Sequence, residues 1–388
     1  MLFWTILFFL ASQHMVYQEH VIISGICGFL NVPCSQLVPC ATSNNACYQP
    51  AHICVNHPDC HNLPLCYPLS MTTREICPPV QYSKLIPNIP VDARWAQNGV
   101  TVAGGHGEGS ATNQLFNSYG LLLDYDQTMI IADSGNHRII QWKMGDRNGQ
   151  AVAGGHGQGN RLDQLNNPSD VLIDKETNSL IICDSGNQRM VQWSRRSGTT
   201  QGEILIDNIS CWGLAMDNQR YLYISDIEKH EVRRYQIGDK NGTIVAGGND
   251  IDADLNQLNV PRYIFVDQQQ TVYVSDTYNH RVMKWNKDAK EGIVVAGGQG
   301  EGNALTQLSY PRGLFVDTLG TIYVADWGNH QVMRWPEAAK QGTVIVGGNG
   351  QGEGANQFKA PVALSFDRHG NLYVIDEYNY RVQRFSIK

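Results

Sequence analysis

The sequence contains little charge and no cluster of positive residues. Asp, Glu, Lys and Arg make up 17% of the 388 residues, and the formal net charge is −7. The Lys and Arg residues are scattered along the chain. Because proteins that bind nucleic acids neutralise phosphates with clustered cations, we predict no nucleic-acid partner.

The apolar run at the N-terminus is too short to cross a bilayer. Leu2–Ala11 is uncharged, but a membrane-spanning helix needs about 20 apolar residues. The run resembles the core of a secretory signal, although no Lys or Arg precedes it and no A-x-A cleavage site follows. Residues 1–20 are therefore predicted to be the signal peptide of a secreted protein. An uncleaved anchor on the extracellular side of a membrane and a chance apolar stretch are the alternatives.

Closely paired metal ligands are absent from the cysteine-rich part of the chain. No C-x2-C occurs, whereas zinc fingers and RING modules pair their ligands at short spacing. Residues 25–78 are rich in Pro and Asn and hold an even number of cysteines, which indicates a disulfide framework. Its cysteines are Cys27, Cys34, Cys40, Cys47, Cys54, Cys60, Cys66 and Cys77. A zinc module that uses His52, His57 and His61 is the alternative. Residues 79–98, with several prolines, are predicted to be a linker.

The rest of the chain is a repeated unit. Tyr273–Trp285 (YVSDTYNHRVMKW) has five counterparts, most of them about 50 residues apart, a period typical of propellers and solenoids. Every copy contains one aspartate at the same position. These aspartates are Asp133, Asp184, Asp226, Asp276, Asp326 and Asp376.

Each unit holds four apolar runs of strand length, which we call strands a to d in chain order. One set is Gly313–Asp317, Thr321–Asp326, His330–Trp335 and Thr343–Gly347, rich in β-branched and aromatic residues. Six such units predict an all-β fold, a six-bladed β-propeller over residues 99–388. The sixth unit lacks a strand d, and Val100–Gly104 has a strand-d sequence. We therefore predict that this N-terminal strand completes the last blade and closes the ring.

The units resemble NHL repeats, which carry an Asp-x-x-Asn-His-Arg-Val core. Asp133–Ile139, Asp276–Val282 and Asp326–Val332 match this core most closely. The resemblance covers the predicted propeller and supports the fold, but the family is functionally broad and implies little about function.

The repeated polar residues are predicted to be structural, because a functional site needs only one copy. Each repeat Asp ends strand b, so we expect its carboxylate to accept N–H groups of the b–c turn and to pair with the Asn and Arg that follow. The recurring glutamines of the glycine-rich d–a loops are expected to bond the backbone. The large aromatic residues that end each strand c are expected to pack between blades: Trp142, Trp193, Tyr235, Trp285, Trp335 and Phe385.

The third blade departs from the pattern. Only Asn208–Trp212 joins its strand a to the preceding strand d, where the other connections are longer loops. We expect this deficit to leave a notch beside Trp212. Cys183 and Cys211 lie near it, either as a disulfide or as two buried thiols. The sequons at Asn208 and Asn241 are predicted glycosylation sites.

The mouth of the central channel is the second candidate site. Aromatic, guanidinium and carboxylate groups occur where the inner strands begin, a combination that suits a small polar or anionic ligand. The alternative is the rim of a water-filled channel. The candidate ligand-binding residues are Tyr119, Asp170, Trp212, Arg262, Tyr263 and Arg312.

The sequence does not match the propeller enzymes. Peptidyl-hydroxyglycine amidating lyases, a related group, bind a metal through His at the starts of the inner strands, and calcium-dependent hydrolases need several carboxylates there. The positions in question hold Tyr119, Ser169, Trp212, Arg262, Arg312 and Val362, with Asp170 beside them. No G-x-S-x-G occurs either.

We therefore predict a non-catalytic extracellular interaction protein that needs no cofactor and whose propeller binds a protein, peptide or glycan on its loop face. A secreted metal-dependent enzyme is the alternative. An RNA-binding or ubiquitin-ligase-associated protein is a more remote one.

Overall fold

The computed structural model describes residues 38–39, 52–55, 65–68, 87 and 89–388. The chain separates into two compact units, Met1–Lys84 and Leu85–Lys388. The predicted signal residues 1–20 and the possible zinc ligands His57 and His61 lie outside the described residues. So do six of the cysteines predicted to form disulfides: Cys27, Cys34, Cys40, Cys47, Cys60 and Cys77.

The first unit contains a small antiparallel sheet. Its strands are β1 (Val38–Pro39), β2 (His52–Val55) and β3 (Leu65–Pro68), in the order β1-β3-β2. Cys54 on β2 and Cys66 on β3 are directly paired in the backbone register. The disulfide framework predicted for residues 25–78 stays a prediction.

The second unit is the predicted six-bladed β-propeller, and each blade is a four-stranded antiparallel sheet. Blades one and two comprise β5 (Ser118–Leu123), β6 (Met129–Asp133), β7 (Arg138–Trp142), β8 (Gln150–Gly154), β9 (Asp170–Asp174), β10 (Ser179–Asp184), β11 (Arg189–Ser194) and β12 (Glu203–Asp207). Blades three and four comprise β13 (Cys211–Met216), β14 (Tyr221–Asp226), β15 (Glu231–Gln236), β16 (Thr243–Gly247), β17 (Pro261–Val266), β18 (Val272–Asp276), β19 (Arg281–Trp285) and β20 (Ile293–Gly297). Blades five and six comprise β21 (Pro311–Val316), β22 (Ile322–Asp326), β23 (Gln331–Trp335), β24 (Thr343–Gly347), β25 (Pro361–Phe366), β26 (Leu372–Asp376), β27 (Arg381–Phe385) and β4 (Val100–Gly104).

The ring closes as predicted. β4 pairs antiparallel with β27, and Val100 lies opposite Arg384 in the register. The chain before β4 strengthens this closure, because Trp95 forms a β-bridge with Ile387. Ile89 and Trp95 fall within the predicted linker, but both are buried in the apolar core beside blade six. The proline-rich composition of residues 79–98 gave no indication that these two side chains are buried.

The burial of each strand follows its place in the blade. The five residues of β22 are all buried, because strand b is covered on both faces by neighbouring blades. β20, an outer strand, exposes its first two residues. The six strands a contact one another in a ring around the central channel. Among residues 89–388, no helix is long and apolar enough to cross a membrane.

The aromatic residues that end each strand c are buried as predicted. Trp335 is 1% exposed, and Gly342 in the c–d turn lies against its ring. A Cβ at Gly342 would come within 2.7 Å of the indole, so the close contact requires glycine there.

The repeat Asp binds a different loop from the one predicted. Asp133 Oδ1 accepts the backbone N–H of Phe116, in the d–a loop, at 2.8 Å. Its Oδ2 accepts Asn136 Nδ2 at 2.8 Å and Arg138 Nε at 2.7 Å, and Arg138 also donates to the carbonyl of Ser110 in the same loop. The expected pairing with Asn and Arg is therefore confirmed, while the expected acceptance from the b–c turn is wrong for this blade. The loop glutamine bonds the backbone as expected, since Gln114 Nε2 donates to the carbonyl of His106.

Candidate ligand-binding site at the channel mouth

The inner strands begin on the face that carries the d–a loops and the b–c turns. The two kinds of connection touch there, since Gly135 N in a b–c turn donates to Phe116 O in a d–a loop at 3.0 Å. We call this the loop face. The side chains around the channel at this face define the channel mouth: Tyr119, Trp212, Arg262, Arg312, Trp327 and Glu377.

Buried hydroxyl groups fix the backbone at the mouth. Ser169 Oγ donates to the carbonyl of Trp212 at 2.8 Å, and Ser225 Oγ donates to the carbonyl of Arg262 at 2.8 Å. Each bond joins one blade to the next. Adjacent inner strands approach closely, because a Cβ at Gly213 would lie 2.2 Å from the Arg262 carbonyl. The side chains at the mouth therefore project from a rigid ring.

Arg262 and Trp212 form a stacked pair. The Arg262 Cζ lies 4.1 Å from the centre of the Trp212 ring, and the Tyr119 ring is 5.2 Å from the same indole. Such stacking of a guanidinium on Trp is favourable by about 0.5–2 kcal/mol. It leaves the N–H groups at the guanidinium edge available to a ligand.

Arg312, Trp327 and Glu377 form a second cluster. The Arg312 Cζ lies 4.6 Å from the Trp327 ring, and its Nη1 is 3.8 Å from Glu377 Oε2. Trp327 Nε1 donates to that same oxygen at 3.0 Å. Burial raises the pKa of the Glu377 carboxyl, and the charge of Arg312 opposes the rise.

The sequence prediction omitted Trp327 and Glu377. Both lie in b–c turns, directly after the repeat Asp, and not at the start of an inner strand. The equivalent positions in chain order are Ser134, Ser185, Ile227, Thr277, Trp327 and Glu377. The change from uncharged, non-aromatic residues to Trp and Glu in the last two blades was the signal that could have identified them.

The donors of the mouth are incompletely bonded. Among the described residues, Arg262 has no hydrogen-bond or ion-pair partner, and its Nε is buried. Trp212 Nε1 and Arg312 Nε are also buried without a partner. Burial lowers the pKa of Arg262, and the nearby positive charge of Arg312 lowers it further. A buried donor without a partner costs about 1–3 kcal/mol, so the arrangement favours a ligand that supplies acceptors.

Two predicted ligand-binding residues support the mouth instead of lining it as free groups. Asp170 Oδ2 accepts Leu214 N at 2.9 Å, which joins blade two to blade three. Tyr263 is buried and donates its hydroxyl to the carbonyl of Tyr119 at 3.0 Å. They hold the mouth's backbone in place.

An arc of aromatic side chains extends from the mouth across blades four to six. It consists of Tyr278, Tyr310, Trp327 and Tyr378, with successive ring centres 5.6, 6.1 and 6.4 Å apart. Tyr278 is 46% exposed and Tyr378 is 39% exposed. This aromatic arc gives the loop face an accessible apolar surface beside the two guanidinium groups.

The short connection before blade three adjoins the mouth at Trp212. Cys183 and Cys211 form a disulfide there, with an S–S distance of 2.03 Å. In the absence of a d–a loop, Asp226 accepts N–H groups of its own b–c turn, from Glu228 at 3.1 Å and Lys229 at 3.0 Å. Within residues 89–388, Asp226 is the one repeat Asp bonded as the sequence predicted, because the other five accept a backbone N–H from a d–a loop. The short connection and the channel mouth meet at Trp212, and the notch expected there stays a prediction.

The structure shows where the predicted glycosylation sites lie but does not test whether they carry glycans. Asn208 and Asn241, the residues predicted to carry glycans, are both exposed. No group of three or more His, Cys, Asp or Glu side chains within the described part of the chain is arranged to hold a metal ion. His106 contacts the carbonyls of Gly104 and Asn113 through its Nδ1.

Comparisons with known protein families agree with the repeat pattern and the fold. A family model described as NHL repeat matches residues 308–334, and one described as a 6-bladed beta-propeller matches residues 113–295. The chain thus contains an NHL repeat and folds as a six-bladed β-propeller. No curated protein sequence matches it.

Several solved structures share the propeller. An auxiliary nutrient binding protein from Bacteroides thetaiotaomicron is 15% identical, with a TM-score of 0.58 over 76% of this chain and 77% of that one. One from Bacteroides ovatus is 14% identical, with a TM-score of 0.56 over 76% and 78%. A gluconolactonase from Xanthomonas campestris is 13% identical, with a TM-score of 0.53 over 78% and 98%. At these identities the likeness shows the fold alone.

Proposed function

We propose that this protein is a non-catalytic extracellular interaction protein that binds its partner at the channel mouth of the propeller. The observation that carries the proposal is Arg262, which stacks on Trp212, has a buried Nε and has no hydrogen-bond or ion-pair partner among the described residues. A buried charge is costly unless it is paired. A partner that supplies acceptors would remove this cost on binding.

The composition of the mouth supports a binding role. Trp, Tyr and Arg are the residues that most often dominate binding energy in protein interfaces, especially when they lie in a concave and well-packed centre. Here two Arg–Trp pairs occupy the centre of the loop face, and the exposed tyrosines of the aromatic arc surround one side. The rigid ring beneath them reduces the entropy lost on binding.

The extracellular location is supported by the cysteines. The Cys183–Cys211 disulfide lies within the propeller, and disulfides persist mainly in secreted proteins and oxidising compartments. The cysteine-rich segment and the apolar run at residues 2–11 favour the same location. Structural neighbours described as auxiliary nutrient binding proteins are consistent with a binding role for the fold.

The proposal is tested by ligand selection on the full chain secreted from a eukaryotic host. Peptide display and a glycan array would identify ligands, and their affinities would then be compared between the parent and an Arg262→Ala/Arg312→Ala variant. We expect the double variant to bind at least about tenfold more weakly, because each Arg at an interface centre contributes upwards of about 1–2 kcal/mol.

Arg234→Ala is the matched control. Arg234 also stacks on an aromatic ring, that of Tyr221, at 4.9 Å, but it lies at the opposite end of its blade from the mouth. The control is expected to keep parental affinity. Ligands that bind the double variant and the parent equally would show that the binding surface lies elsewhere.

A further inference from the structure

We propose that the group bound at the channel mouth is a single carboxylate, the side chain of an Asp or Glu in an extended segment of a protein partner. This inference rests on the proposed binding function and specifies the chemistry of the partner. The inference is drawn from the positions of Arg262, Trp212 and Arg312 at the mouth.

The local charges favour a monoanion. The charge of Arg312 is partly neutralised by Glu377, whose Oε2 is 3.8 Å from Arg312 Nη1. The charge of Glu377 also acts on Arg262, but Arg262 forms no ion pair among the described residues. The two guanidinium groups therefore share one ion-paired carboxylate at the mouth. A phosphate dianion would bring a second negative charge next to Glu377, which disfavours it.

The geometry of the donors favours a planar group. A guanidinium binds a carboxylate through two parallel N–H bonds. Because the face of Arg262 is covered by the Trp212 ring, the edge of the guanidinium is its available binding surface. Trp212 Nε1 and Arg312 Nε are further buried donors without partners. The two oxygens of a carboxylate offer several acceptor sites to these donors.

The surroundings favour a protein segment over a free acid. The aromatic arc places exposed Tyr278 and Tyr378 beside the guanidinium groups, and tyrosine is enriched where protein interfaces are buried. The protein as a whole carries a net charge of −7, so long-range attraction does not favour a polyacidic partner. A segment with one acidic side chain between apolar residues fits both the charge and the aromatic surface.

The test uses indole NMR of the full chain with ¹⁵N-labelled tryptophan. The probes are acetyl-Leu-Glu-Leu-amide, the same peptide with Gln or phosphoserine in place of Glu, and methyl glucuronide. The Trp212 signal is assigned by its absence in Trp212→Phe. We expect the Glu peptide to move the Trp212 Nε1–H signal saturably, and the Gln peptide to bind at least about tenfold more weakly.

Variants at Arg262 distinguish the contribution of its positive charge to binding from that of its planar guanidinium geometry. Arg262→Ala should abolish the shift, and Arg262→Lys should weaken binding severalfold, because lysine keeps the charge but cannot bind a carboxylate bidentately. Arg234→Ala, the control used for ligand selection, should titrate as the parent does. Equal binding of the Glu and Gln peptides would overturn the proposal, as would no response to the Glu peptide.

Other outcomes identify a different ligand. Tighter binding of the phosphoserine peptide would indicate a dianion site, and binding of methyl glucuronide without the Glu peptide would indicate an acidic carbohydrate. Both results would overturn the peptide-carboxylate proposal and leave the channel mouth as a binding site. Failure of the proposed function has a separate sign: the selected ligands would bind the Arg262→Ala/Arg312→Ala variant as tightly as the parent.

Discussion

At the scale of single residues, the repeat explains most positions and its exceptions have distinct consequences. Four of the six repeat aspartates are buried and bonded to the Asn and Arg of the same unit: Asp133, Asp184, Asp276 and Asp376. In blade five Gln331 takes the place of that Arg and donates to Asp326 Oδ2 at 2.8 Å. Without a neighbouring guanidinium, burial raises the pKa of Asp326 to about 6.

Gln331→Arg is expected to stabilise the propeller above pH 6. The folded protein holds the proton of Asp326 more tightly than the unfolded chain, so this carboxyl makes stability fall as the pH rises from about 4 to about 6. A guanidinium should return the pKa towards its ordinary value. The gain at neutral pH should be about 1–3 kcal/mol, since one pKa unit corresponds to about 1.4 kcal/mol.

Urea denaturation of parent and variant across pH 4 to 7 measures this effect. The difference in unfolding free energy should grow through that range. Gln331→Met is similar in size but loses the hydrogen bond that lowers the pKa of Asp326, so its stability should fall at least as steeply with rising pH as that of the parent. A difference between Gln331→Arg and the parent that does not change with pH would contradict the assignment to Asp326.

At the scale of strands and loops, the sequence predicted the elements well and their partners less well. The alternation of apolar runs and turns placed all four strands of each blade. It did not place the acceptor bonds of the repeat Asp, because the Phe116 amide comes from a loop 17 residues earlier in the chain. Bonds between segments that far apart depend on the folded loop, which local turn chemistry does not predict.

The same reasoning explains the incomplete prediction of the site. The starts of the inner strands were predicted to meet at the channel, and Trp212, Arg262 and Arg312 do so. Glu377 and Trp327 were missed, because a b–c turn reaches the channel only when the tilt of the strands is known. Asp170 and Tyr263 were correctly placed near the mouth, but their polar atoms are bonded to backbone groups of neighbouring blades.

Removing the disulfide should weaken the junction between blades two and three. Cys183 lies in strand b of blade two and Cys211 begins strand a of blade three, with a sequence separation of 28. No long d–a loop reinforces this junction. We expect Cys183→Ser/Cys211→Ser to lose about 3–4 kcal/mol, the chain-entropy value for a loop of this size.

Denaturation with and without reductant isolates the contribution of this bond. The parent should lose stability in reductant down to the level of the double variant, and the variant should be little affected by reductant. If the oxidised parent and the variant unfold at the same urea concentration, the bond adds nothing to the short junction.

At the scale of the whole molecule, the ring depends on the contacts that join its two ends. Trp95 is 2% exposed, packs against Tyr323 and Phe366, and donates its indole N–H to the carbonyl of Gly370 at 2.9 Å. The Lys388 amide donates to the Arg94 carbonyl at 2.8 Å. Contacts far apart in sequence thus hold blade six closed.

Trp95→Ala should therefore destabilise the whole propeller. Truncation of a buried Trp costs about 3–5 kcal/mol. The hydrogen bond from the indole N–H to the Gly370 carbonyl is lost as well. Val91→Ala is the control, because Val91 lies in the same segment and is 71% exposed. Thermal unfolding followed by circular dichroism should show a lower Tm for Trp95→Ala alone. Equal Tm values would mean that the segment before β4 does not stabilise the ring.

Because β4 pairs with β27, the first and last strands of the propeller are neighbours, and the fold does not require the chain to begin at that blade. Val100 and Arg384 are register partners, so the two ends of the propeller sequence lie side by side. A circular permutant that joins these ends through a short linker and opens the chain in a d–a loop would keep every blade and every contact of the channel mouth. The position of the covalent break is thus separable from the binding surface, and the permutant offers a way to present that surface from a different point of attachment.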